Sequence, residues 1–132
     1  MATITEDYVS FEVAKLLRDK GFNEPCYGCY FAISDFPRFF VGTKHCIWNK
    51  HKDNAYYSAP TLQMAMKWLV REHRLYVNVA PSVKDCHWTE KWHSYVEELN
   101  KRYPSGGFIG TFNSHEQACE EAIKYCLKHL IK

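Results

Sequence analysis

Hydrophobic positions recur at helical spacing in three stretches of the chain, and between these they alternate or cluster among aromatic residues. The first stretch is Phe11, Val13, Ala14, Leu16 and Leu17. Ser10 precedes it as an N-cap residue and Gly21 follows it, so the pattern predicts a short amphipathic helix over about Phe11 to Lys20. In the second stretch Leu62, Ala65, Met66, Leu69 and His73 share one helical face, and Ser58-Ala59-Pro60 opens that helix with proline in its first turn. The third has the clearest signals. Ser114 with Gln117 three residues on forms a capping box, and Cys119, Ala122, Ile123, Cys126 and Leu130 line one face. Lys124, Lys128 and Lys132 come late in this helix, where they complement its negative end.

The remaining segments predict strands. Cys26 to Trp48 is aromatic, lacks helical periodicity, and reads as strands over Tyr27 to Ile33 and Phe39 to Ile47. The polar run Asn49 to Asn54 is a loop. Leu75 to Val79 alternates and stops at Pro81. Trp92 to Leu99 forms a second alternating strand, in which either Trp92, Ser94 and Val96 or His93, Tyr95 and Glu97 must be buried. Pro104-Ser105-Gly106-Gly107 has turn chemistry, and Phe108 to Phe112 follows as a short strand. The expected fold is a single α+β domain over residues 1–132. Its helix–three strands–helix unit at 61–131 forms a two-layer sandwich, an antiparallel sheet with helices on one face. The N-terminal helix and the aromatic segment extend this sandwich or cover its edge.

Charge narrows the function classes. Seventeen basic residues against fifteen acidic ones leave a net charge of +2, too little for bulk attraction to a nucleic-acid backbone. No run approaches the roughly 18 apolar residues of a membrane helix. Glu6 and Asp7, with no apolar stretch beside them, are unlike a secretory signal. A cytoplasmic setting with six reduced cysteines is therefore expected.

Candidate chemistry is sparse. Cys26-Tyr27-Gly28-Cys29 has the C-x-x-C spacing of a zinc knuckle, and His45, Cys46, Cys86 and His87 are the nearest further ligands, but no second knuckle completes a tetrahedral set. Buried free cysteines account for the same pattern. The neighbours His45-Cys46 and Cys86-His87 point to opposite faces of an extended chain, so neither is a preformed nucleophilic pair. Ser105 to Gly110 falls one glycine short of a phosphate loop. No catalytic or cofactor-binding residue is assigned.

Two surfaces remain. Met64 and Trp68 lie on the second helix away from its core stripe, flanked by Lys67 and Arg71, and form a candidate contact surface for a partner protein or a second copy unless the first helix covers them. Lys50-His51-Lys52 before Tyr56-Tyr57, with Arg71 and Arg74, is a basic-aromatic mixture of the kind that binds nucleic acid.

The residues Tyr57 to Leu69 and Glu116 to Leu127 resemble a group of small proteins, of no assigned activity, from gut Bacteroidetes and their phages or mobile elements. That resemblance runs from about Tyr57 to Leu130, implies a cytoplasmic accessory protein and carries over no functional residue. The helix–three strands–helix order is also similar in outline to the double-stranded-RNA-binding domain. There the second helix begins with a lysine-rich turn, whereas this chain has Ser114-His115-Glu116-Gln117 followed by Glu120 and Glu121, which repel phosphate. The expected function is a non-catalytic interaction protein; the alternative is nucleic-acid binding, and a zinc-stabilised module comes third.

Overall fold

A computed structural model describes residues 6–32, 36–51, 54–101 and 106–131. The fold is α+β, with three α-helices and two three-stranded antiparallel sheets among the described residues. The chain divides into two compact units, Met1–Gln63 and Met64–Lys132. Among the described residues no helix is long and apolar enough to cross a membrane.

In the first unit, α1 spans Phe11–Asp19. The Val13 N–H donates to Ser10 Oγ at 3.3 Å, the expected cap. At the other end Gly21 takes φ +89°. The N–H of Phe22 reaches back to the Leu17 carbonyl and that of Gly21 to the Arg18 carbonyl, the double bond of a Schellman motif. Leu17 and Phe22, which bracket the motif, are both fully buried with Val13 and Ala14.

The aromatic segment does not extend a shared sheet but builds its own. Strands β1 (Cys26–Phe31) and β2 (Arg38–Cys46) pair antiparallel, and β3 (Tyr56–Ser58) adds on the other side of β1. Ile33 and Lys52, in the expected strand and loop, lie outside the described residues. Strand β3 corrects the expectation that Ser58 begins a helix: Ser58 pairs with Cys29, and Pro60 precedes the helix instead of entering its first turn. A segment as short as Tyr56–Ser58 carries no periodicity to read. Close approach holds this region together. A Cβ on Gly28 would fall 2.3 Å from the Ala59 carbonyl oxygen and 2.8 Å from the Tyr8 ring, so only glycine fits.

Helix α2 spans Leu62–His73. Arg74, at φ +55°, turns the chain directly into β4 (Leu75–Lys84). Strands β4, β5 (His87–Glu98) and β6 (Gly106–Phe112) form the expected meander. Both β4 and β5 are longer than the alternation indicates, because β4 continues through Pro81. Proline is tolerated there because β4 is an edge strand and the register shifts between Pro81 and Val83. The tip is a two-residue turn, Asp85 and Cys86, both at positive φ as in a type I′ hairpin. Pro104 and Ser105 of the expected turn lie outside the described residues, while Gly106 and Gly107 begin β6.

The buried face of β5 is that of Ser94 and Val96. Helix α3 (His115–Tyr125) lies against all three strands of this sheet and continues as a π-helical turn, Cys126–Leu130. The Ser114 cap accepts from the Gln117 N–H at 3.1 Å. Gln117 returns its side-chain oxygen to the N–H of Asn113, one residue before the position a capping box uses. Ser94 Oγ donates to the Ala118 carbonyl at 2.9 Å, so the polar residue of the inner face is satisfied by the helix that covers it. Ala65, Leu69, Ala122 and Cys126 are all fully buried, as the layered reading requires.

Candidate functional site

The surface expected on α2 is not presented as such. Lys67 and Arg71 are exposed and Met64 is half-buried, but Trp68 is only 5% exposed and meets the His73 ring edge-on at 4.8 Å. The buried stripe runs through Leu62, Ala65, Trp68 and Leu69, with Met66 half-buried. Both this stripe and the one through Met66 satisfy helical spacing, and the tryptophan offers more area to bury. Arg71 Nε donates to Glu72 at 2.9 Å.

The cysteines do not assemble into a metal centre. Among the described residues no three His, Cys, Asp or Glu side chains are placed to hold a metal ion. His45 packs its ring against Tyr27 at 3.9 Å. Burial pushes the Cys26 thiol up to about 11 and Cys29 to about 12. A cysteine–histidine pair that the sequence reading overlooked is Cys119 and His115, 3.7 Å apart at i, i+4 spacing on α3. Its sulfur is buried and so is not presented to a substrate.

The best-defined unfilled feature is the outer edge of β2. This nine-residue strand ends its sheet, and among the described residues no strand pairs with its far side. Arg38, Phe39, Phe40 and Val41 pair with β1 in unbroken register and are exposed, Val41 by 52%. Beyond them four residues, Gly42–His45, face the single residue Tyr27, a bulge that ends the regular edge. Phe39 contacts Tyr8 and Tyr30 at 5.2 and 5.1 Å on one face of the sheet. Phe40 meets Trp48 edge-on at 5.4 Å on the other. Trp48 is pinned in turn, its indole N–H donating to the Cys26 carbonyl at 3.0 Å.

Charge singles this edge out. Between Phe36 and His51 the sequence contains Arg38, Lys44 and Lys50 and no aspartate or glutamate. The first unit as a whole is balanced, so its acidic residues are displaced from this stretch. Over Arg38–Val41 the edge has no proline, and its guards stand at its two ends, Arg38 at one and the bulge with Lys44 at the other. The second sheet exposes Trp88 and Phe108, but Lys84, Asp85, Glu90 and Lys91 around its hairpin mix both signs and select no partner.

The basic-aromatic mixture near Lys50 is engaged internally. Trp48 stacks on Tyr56 at 5.7 Å, and His51 and Phe31 contact the same tyrosine ring. Tyr57 is covered by Phe11 and by the Arg18 guanidinium, 4.5 Å from its centre. These rings have little free face for a base. Comparison with protein-family models, with curated proteins and with solved structures gives no match.

Proposed function

We propose that this chain is a non-catalytic interaction protein that takes up an extended, acidic segment of a partner protein as a fourth strand beside β2. The observation that supports this reading is the exposed, acid-free edge at Arg38–Val41. An added strand would satisfy backbone groups that now face outward, and its alternate side chains would meet Phe39 on one face and Phe40 on the other. Arg38 and Lys44 favour carboxylates on the incoming strand. A second β2 would bring no carboxylate to meet these cations, since Arg38–Cys46 contains no aspartate or glutamate.

Amide chemical shifts test the proposal. A synthetic peptide alternating Glu with Ile should perturb Arg38 to Val41 and bind more weakly as salt rises. Its Lys-for-Glu counterpart should not bind, and Phe40→Glu should abolish the effect. Preference for an oligothymidylate over the acidic peptide would move the assignment to single-stranded nucleic acid. A stable dimer by light scattering that resists the peptide, or shifts confined to other strands, would overturn it.

A further inference from the structure

All six cysteines are free thiols, and one pair is in register. Cys26, the first residue of β1, stands directly opposite Cys46, the last of β2. Directly opposed residues of an antiparallel pair point to the same face with Cα atoms roughly 4.5 to 5.5 Å apart, within the roughly 4.4 to 6.8 Å that a disulfide spans. Charge on Cys46 opposes ionisation of both Cys26 and Cys29, so the three thiols lie near one another and register tells them apart. No cysteine stands in register with Cys29, which has Phe40 and Ser58 opposite it on its two sides. Access is unequal, for Cys46 is half-buried and Cys26 only 1% exposed.

We propose that Cys26 and Cys46 are a redox pair that closes into a cross-strand disulfide by exchange with a low-molecular-weight disulfide such as oxidised glutathione. Cys46, the accessible thiol, loses its proton and attacks one sulfur of the oxidant, whose S–S bond breaks and releases one glutathione thiolate. Cys26 then loses its proton and attacks the Cys46 sulfur, expelling the second glutathione. Two protein thiols are oxidised and one glutathione disulfide is reduced to two thiols, so atoms and electrons balance. Burial keeps Cys26 protonated at neutral pH, so closure is the slow step and speeds up by roughly tenfold per pH unit until Cys26 ionises. The bond fastens the end of β2 beyond its bulge to β1. This inference does not depend on β2 binding a partner.

The test uses the full chain with Cys86→Ser to remove the exposed thiol. Reduced protein is incubated with oxidised glutathione, acid-quenched, alkylated in denaturant and mapped by tandem mass spectrometry, with fragmentation between Cys26 and Cys29. The expected result is two thiols protected, a Cys26–Cys46 link, and full recovery of both on reduction. Cys29→Ser should keep the link. Cys26→Ser should stall as a glutathione adduct on Cys46, and Cys46→Ser should give neither adduct nor link. A wild-type adduct on Cys46 that never closes at mildly alkaline pH, or a link mapped to Cys29, would overturn the proposal even if every serine variant misfolded.

Discussion

Asn49 and Ser58 complete each other's backbone. The Ser58 N–H donates to Asn49 Oδ1 at 2.8 Å, and the Asn49 N–H donates to Ser58 Oγ at 3.0 Å. The Asn49 amide also donates to the Phe22 carbonyl at 2.7 Å. One side chain thus joins the 3₁₀ turn Trp48–Lys50, strand β3 and the segment leaving α1. Asn49→Ala strands two of these groups and should destabilise the protein by about 2 to 4 kcal/mol, read as an earlier urea midpoint. Asn49→Asp keeps the acceptor for Ser58 but sets a carboxylate against the Phe22 carbonyl, so its deficit should shrink as the pH falls. Equal midpoints for wild type and Asn49→Ala would refute this role.

Gly28 permits no side chain. Its missing Cβ would overlap a backbone oxygen, and backbone cannot swing aside as a flexible side chain can. Gly28→Ala should therefore cost about 3 kcal/mol and shift the amide signals of Ala59 and Tyr8. A variant as stable as wild type would mean that the Ala59 contact yields freely.

Arg74 makes the opposite case. It occupies the left-handed region between α2 and β4, a conformation that costs a non-glycine residue roughly 1 kcal/mol. Arg74→Gly should raise stability by about 1 kcal/mol, whereas Arg74→Ala should leave it unchanged. If both variants behave alike, backbone strain at this position is not the cause.

Alkaline pH should unfold the protein before ordinary thiols alone would. Burial raises Cys26 to about 11, and Cys29 and Cys126 to about 12, from an ordinary value of 9.0. The unfolded chain gives up these protons first. Stability is therefore complete below about pH 9 and falls as the pH rises through the folded values, by up to about 1 kcal/mol per pH unit for each thiol. Urea midpoints at neutral pH and at several values above 9 check the slope, which Cys29→Ala should reduce. A flat profile would show that the thiols ionise without unfolding.

Local signals made much of this fold legible. Ser10 with Gly21, and Ser114 with Gln117, mark helix ends through bonds to nearby backbone, and those helices fall where expected. Strand β3 was hidden because three residues after a polar loop have no pattern, and Ser58-Ala59-Pro60 imitates a helix start. Pro81 cut β4 short because a proline forbids only a central strand, and centrality is set by partners far along the chain. The candidate site was half-visible. The lack of carboxylates between Phe36 and His51 is plain in the sequence, but that β2 ends its sheet depends on pairings distant in sequence, and Trp68 drew attention that its burial does not support.

The hairpin tip has a practical consequence. Asp85 and Cys86 hold backbone angles that asparagine and glycine adopt with less strain, and Cys86 is the sole exposed cysteine. Writing Asn-Gly there would leave the ladder on either side in place. It would also remove the most exposed sulfur, the one best placed to cross-link separate molecules during storage, leaving half-buried Cys46 as the thiol that ageing in air reaches first.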